Sequence, residues 1–445
     1  MPDHAISTSP AVQAQLDRLF AHGPGTDTLG LDRITRLLAR LGDPHRALPP
    51  VFHVAGTNGK GSTCAFLRAA LEAAGYRVHA YTSPHLVRFN ERIRIAGMLI
   101  DDDALAPLLA EVLDQADDLN ASFFEVTTAA AFLAFARIPA DACVVEVGLG
   151  GRLDATNVLP APAVCGIAAL GIDHEAFLLA PEAGVPIDPA ARIAFEKAGI
   201  ASRGVPLVTL AYPPAAAEAV RAVAAARGAP LLIRGKAWEV TETEGGLRFR
   251  DGKDELVLPR PALAGPHQPD NAALAVAMLR SQGALPVGPD ALAQGLRSAR
   301  WPARMQRLGD GALVRRLPPA QRRRGAWLDG AHNPSAAAAI AGSWADNAPT
   351  ALIVGLLANK DAAGVLRALV TPGMRVVAVP VPGHTHHAPA ALAALAADLG
   401  ALAATSGDVA AALDWLAKTP IESVLIAGSL YLAGDVLRLN DELPD

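Results

Sequence analysis

The chain has 445 residues, more than one typical domain, so two or three domains are expected. With 51% apolar and 19% charged residues it is not a disordered chain, and the balance suits a packed globular enzyme. A formal net charge of −5 removes the electrostatic case for nucleic acid as a main partner.

The N-terminal run MPDHAISTSPAVQAQL is acidic and polar where a secretory signal needs a basic start and an apolar core. Val158–Ile172, the longest uncharged apolar run, is shorter than the ~18 residues of a membrane helix and contains prolines and glycines. No membrane span and a cytoplasmic location are expected. Cys64, Cys143 and Cys165 lie far apart without metal-ligand spacing, as buried thiols in a reducing compartment do.

Strand-like runs at Val51–Val54, Arg77–Tyr81, Ala142–Val147, Val164–Ala168 and Pro206–Leu210 alternate with alanine-rich stretches at Cys64–Ala74, Ala104–Ala116 and Thr127–Ala136. This rhythm predicts a mostly parallel sheet with crossover helices, an α/β fold. From Leu231 to Leu258 it breaks into short alternating runs, expected as a small antiparallel appendage. Helices follow at Asp270–Gln282 and Pro289–Ala299. The turn at Arg300–Arg304 then introduces a second α/β series with strands at Gly325–Leu328, Thr350–Val354, Arg375–Pro380 and Ser423–Ile426. The expected domains are 1–299 and a smaller Rossmann-like 300–445.

The most informative run is VFHVAGTNGKGSTCAFL, from Val51 to Leu67. A short strand leads into a turn in which Gly56, Gly59 and Gly61 let backbone N–H groups converge on an anion. Lys60 adds a mobile positive charge, the following helix points its positive end at the same spot, and Ser62 or Thr63 offers magnesium a hydroxyl. The general phosphate-loop pattern has four residues between its first glycine and the Gly-Lys pair. Here only Thr57 and Asn58 intervene, and Gly61 separates Lys60 from Ser62. An ordinary glycine-rich turn is the alternative; the strand, lysine and paired hydroxyls favour a nucleotide triphosphate.

Glu146 closes a strand before GLGGRLDATN, placed to complete a magnesium site or else as a surface carboxylate. Asp173 and His174 in GIDHE follow another strand-like run. Lys197 in FEKAGI, read alone, is a lysine reaching from a helix to solvent. Asn271 can meet a base edge or cap a helix, Arg304 can clamp phosphate or sit in an exposed loop, and Asp329 can bind ribose or cap a helix.

Taken in order, TLGLDRI, HVAGTNGKGST, YTSPHLVRFNERIRI, SFFEVTTAAA, VVEVGLGGRLDATN, GIDH, EKAGI, HQPDNAA, PARMQ, LDGAHNP, GLLANKD and AGSLY resemble the bifunctional dihydrofolate synthase/folylpolyglutamate synthase family of the Mur ligase superfamily. The match runs from about Leu29 to Gly434. It implies ATP-dependent ligation of L-glutamate to dihydropteroate and reduced folates through an acyl phosphate, by a monomer. A folylpolyglutamate synthase without the first activity, a cell-wall Mur ligase and a silent ATP-binding regulator are the alternatives.

By matched position, the resemblance implies that Gly59, Lys60, Gly61 and Ser62 hold the phosphates, with Gly56, Thr57 and Asn58 completing the loop. Asn271, Arg304, Asp329 and His332 would bind the rest of ATP. Ser62, Ser83 and Glu146 would bind one magnesium; Glu146, His174 and Lys197 a second, Lys197 as a carbamate. Lys60, Glu146, His174 and Lys197 are the implied catalytic set. Leu29, Gly30, Leu31, Asp32, Ser122, Phe123, Phe124, Glu125, Leu153, Asp154 and Ala155 would meet the pterin-side substrate. Without the resemblance, Phe123 and Phe124 read as core.

The chain departs from the family in places. His174 and Lys197 are 23 positions apart, because LLAPEAGVPIDPA (178–190) looks inserted. Asn359 replaces an expected aspartate in GLLANKD, and GHTHHAP (383–389) lies where relatives often carry an arginine. RRLPPAQRRR (315–324) reads as a solvated basic loop between strands, with no assigned role.

Overall fold

Short apolar, β-branched runs bounded by glycine or proline form the strands. In the computed structural model, which describes residues 6–22, 29–173, 175–322, 324–342, 344 and 348–445, they build two separate sheets with parallel cores. The first contains β1 (Val51–Ala55), β2 (Val78–Tyr81), β3 (Ile93–Ile95), β4 (Met98–Leu99), β5 (Ala142–Glu146), β6 (Val164–Ile167), β7 (Leu207–Thr209) and β8 (Leu231–Ile233). Their order is β4-β3-β2-β5-β1-β6-β7-β8. β2 through β8 in that order run parallel, and β3 and β4 form an antiparallel edge. Every residue of β1, β2, β5 and β6 is buried, as a sheet covered on both faces requires.

Helices Pro10–His22, Asp32–Arg40, Asp102–Ala116 and Phe123–Arg137 share one apolar cluster, with Leu16, Ile34, Leu109 and Phe132 fully buried. Pro189–Ala198 and Pro214–Arg227 contribute Ala194 and Val220 to another. Sequence-predicted Cys64–Ala74 begins earlier, as Lys60–Ala73, because Gly59 at its N-cap takes a left-handed φ of 86°.

One expectation needs correction. Leu231–Ile233 does not belong to the antiparallel appendage: as β8 it pairs parallel with β7 and extends the main sheet. Its three residues are too few for a periodicity to separate the two cases. The appendage is the three-stranded sheet of β9 (Trp238–Thr243), β10 (Gly246–Asp251) and β11 (Glu255–Pro259). Arg280 of helix Gln268–Ser281 ties it down, pairing with Asp251 at 2.7 Å.

The chain divides into two compact units. Met1–His85, Phe89–Ala262 and Gln268–Arg300 form one; Leu86–Arg88, Leu263–His267 and Trp301–Asp445 form the other. In the second, β12 (Gln306–Arg307), β13 (Ala326–Leu328), β14 (Ala351–Val354), β15 (Arg375–Ala378), β16 (Leu402–Thr405) and β17 (Val424–Ala427) are ordered β12-β13-β17-β14-β15-β16. All are parallel except β12. Among the described residues the basic run near 315–324 forms short 3₁₀ turns, with Arg316 paired to Asp414 at 2.5 Å. No helix of the described residues is long and apolar enough to cross a membrane.

Gly166 lets helix Gln268–Ser281 lie close on β6, since a Cβ there would strike the Met278 sulfur. Gly166→Val is expected to lower the unfolding free energy by about 1–3 kcal/mol, measured by urea denaturation.

Candidate active site

β1 lies between β5 and β6, and the chain leaves it toward β2 on one side before β6 is laid down on the other. Ligands of open α/β sheets bind at such a switch point, beyond the strand C-termini. The loop that leaves β1 is tied down by its neighbour: Thr57 and Asn58 N–H donate to the Ala169 carbonyl at 2.8 and 3.2 Å. The Thr57 hydroxyl donates to the Gly171 carbonyl at 2.8 Å. Gly59 combines its left-handed φ with contact to Asn271, whose Oδ1 a Cβ would strike.

Two ammonium groups meet on one backbone oxygen. Lys60 Nζ donates to the Gly56 carbonyl at 3.1 Å, and Lys197 Nζ donates to the same oxygen at 3.0 Å. Lys197 is 4% exposed, which removes the solvent-reaching reading. Burial, reinforced by the charge of Lys60, brings its pKa down to about 7.

Glu146 ends β5 opposite Val54 of β1, and Val145 opposes Tyr81 of β2. This register sets Glu146 beside the glycine-rich loop and beside Ser83, whose N–H donates to Glu146 Oε2 at 3.3 Å. At 4% exposure Glu146 is not a surface carboxylate. Gln268, which sequence reasoning missed, links two expected residues. Its Nε2 donates to Ser62 Oγ at 3.2 Å, and its Oε1 accepts from Asn271 Nδ2 at 3.1 Å. Asn271 thus lies within the first helical turn rather than at the cap. Its neighbour in HQPDN was the available signal. His174, expected beside Glu146 and Lys197 in the second metal set, lies outside the described residues.

The expected substrate residues share loops braced by other side chains. Glu125 and Ser122 form a reciprocal capping box at the start of Phe123–Arg137, and Arg33 Nε reaches Glu125 Oε2 at 2.9 Å. That ion pair joins the segment after Leu29, Gly30, Leu31 and Asp32 to the segment holding Phe123 and Phe124. Phe123 stacks on Phe20 with centroids 5.7 Å apart, and the Arg92 guanidinium lies 5.3 Å from its ring centre. Phe124 rests near Tyr81, and a Cβ on Gly148 would strike its ring. Both phenylalanines stay partly exposed.

Between Leu153 and Ala155, Asp154 accepts from Leu149 N–H at 2.7 Å and from Thr156 N–H at 3.0 Å. The Thr156 hydroxyl meets His53 Nε2 at 2.9 Å. Burial raises the Asp154 carboxyl pKa and lowers that of His53 to about 3.

In the second unit, Asp329 accepts from Met305 and Ala331 N–H at 2.7 and 2.8 Å. It orders two loops, not a helix end. Ala303 and Met305 on either side of Arg304 have φ of 54° and 42°, a strained turn that Asp329 holds. The His332 ring bonds the Gly330 carbonyl at 2.9 Å. Burial pushes the Asp329 carboxyl up, opposed chiefly by Arg304.

A tied-down anion loop with an acidic strand end beside it defines a nucleotide-dependent enzyme. Residues 317–439 match the family described as "Dihydrofolate synthetase, C-terminal domain". The dihydrofolate synthase/folylpolyglutamate synthase of Bacillus subtilis is 39% identical over 319 residues, 68% of this chain and 69% of that protein. The structure of Escherichia coli FolC in complex with DHPP and ADP superposes with a TM-score of 0.84 at 32% identity, covering 98% of each chain. The Yersinia pestis bifunctional folylpolyglutamate synthase/dihydrofolate synthase complexed with AMPPNP and Mn gives 0.82 at 32% identity, covering 97% of this chain and 98% of that one. The chain belongs to the dihydrofolate synthase/folylpolyglutamate synthase family.

The depressed Lys197 pKa has a stability consequence. The unfolded chain binds this proton up to a pH near 10.5 and the folded chain only to about 7, so the penalty is fully present below pH 7 and is relieved as pH rises between those values. Lys197→Met is expected to gain stability over wild type at pH 6 and to lose that advantage by pH 10, in urea denaturation of both proteins.

Proposed function

We propose that the chain joins L-glutamate to dihydropteroate, giving dihydrofolate, and to reduced folates, giving polyglutamates, using ATP. The observation that carries this reading is the convergence of Lys60 and Lys197 on the Gly56 carbonyl, with Glu146 at the adjacent strand end. Lys60 beside that carbonyl supports a phosphate site, and Glu146 and Lys197 close by support a metal site.

In this reading the loop from Gly56 to Ser62 cradles the phosphates, and Lys60 neutralises charge gathering on the transferred phosphoryl oxygens. The γ-phosphate passes to the substrate carboxylate, the glutamate amine attacks the acyl phosphate, and phosphate leaves from a tetrahedral intermediate. Asn271, Arg304, Asp329 and His332 complete the ATP contacts. Phe123, Phe124 and Leu153 offer apolar surface to a flat ring, while Asp154 and Glu125 orient the loops that receive it.

Hydroxyl and carboxylate oxygens suit magnesium, so Ser62, Ser83 and Glu146 would hold one ion, offsetting phosphate charge. Glu146, His174 and Lys197 would hold a second only with Lys197 carbamylated, since an ammonium group cannot ligate a cation. Carbon dioxide adds to a neutral amine with loss of a proton, and a pKa near 7 supplies that amine at neutral pH. We read the protein as a cytoplasmic monomer; its three buried free cysteines fit a reducing compartment.

Purified protein given dihydropteroate, ATP, magnesium and glutamate is expected to form dihydrofolate, faster with bicarbonate than in CO2-stripped buffer. Activity on tetrahydrofolate alone would instead assign folylpolyglutamate synthase without the first reaction. Lys60→Ala is expected to reduce turnover by at least about 10²-fold in the same assay.

A further inference from the structure

The segment after GIDH carries a carboxylate with no place in the chemistry above. Glu182 Oε2 lies 2.6 Å from Arg152 Nη2 and 2.9 Å from Arg192 Nη2. Arg152 belongs to the GLGGRLDATN loop and Arg192 to helix Pro189–Ala198, which carries Lys197. Glu196 faces the same two guanidiniums, 3.0 Å from Arg152 and 3.2 Å from Arg192. The backbone repeats the link: Arg152 N–H donates to the Glu196 carbonyl at 2.7 Å, and Arg192 Nε donates to the Leu178 carbonyl at 3.0 Å.

The group balances two positive charges against two negative ones. Arg192 and Glu196 are 5% and 3% exposed, so that pair is buried, and Glu182 completes the group from its solvent side. Packing leaves the loop little slack. A Cβ on Gly151 would lie 2.9 Å from the Glu196 and Lys197 carbonyl oxygens, and one on Gly150 would lie 3.0 Å from Leu178. The segment at 178–182 therefore grips the loop and the helix together.

We propose that Glu182 is a positioning residue that clamps the loop bearing Leu153 and Asp154 to the Lys197 helix and so sets affinity for the pterin-side substrate. This rests on the reading that the loop lines the substrate site. Glu182 is the most exposed member of the group, with 41% of its side chain exposed against 20% for Arg152, so its replacement leaves the core intact.

Glu182→Gln keeps the shape and removes the charge. It is expected to raise KM for dihydropteroate about fivefold while kcat and KM for ATP stay within about twofold, with Glu182→Asp recovering part of the loss. Amide hydrogen exchange across 149–157 should quicken about fivefold in the Gln variant, with the thermal midpoint unchanged. Unchanged exchange there, or equal quickening over the whole chain, overturns the clamp. Quickened exchange with an unaltered KM overturns its role in substrate affinity. A wild-type protein inert toward pterin substrates would overturn the functional reading instead, and the exchange experiment would still decide the clamp.

Discussion

The Gly56 carbonyl receives hydrogen bonds from two lysines, and the rest of the first unit is arranged around that meeting. Like charges at close range repel, and burial adds a desolvation cost for Lys197. The arrangement persists because the backbone beneath it is held elsewhere: β1 is locked between β5 and β6, and Thr57 and Asn58 are bonded to the strand-end residue Ala169. Glu146 sits one strand away because parallel pairing in register delivers it there.

Around this centre, polar side chains often hold loops in place. Asp154 accepts from two backbone N–H groups, and Glu125 pairs with its own helix cap and with Arg33. Gln268 joins Ser62 to Asn271 across 206 positions of chain. Buried polar groups need partners, so residues near a site supply them to one another and become rigid.

Much of this was legible before any coordinates. The parallel strands and the loop from Gly56 to Ser62 announce themselves through composition and spacing. Less legible were the short edge strands β3 and β4, whose five residues carry no usable period. Leu231–Ile233 was assigned to the wrong sheet for the same reason. Helix Pro10–His22 went unread because its face is defined only by packing against helix Asp102–Ala116 and its neighbours.

Residue order alone gives the chemistry available: glycine spacing allows the anion loop, Glu146 closes a strand, and Lys60 and Ser62 open the helix after one. Local residue type settles these matters because backbone freedom and donor character belong to each residue. Only the tertiary structure decided which groups share an atom. Lys60 and Lys197 are 137 positions apart, yet they meet on one carbonyl. Burial, not identity, then changes a lysine that reads as solvent-reaching into one titrating near 7. Such properties depend on neighbours brought from distant parts of the chain, and a linear pattern does not contain them.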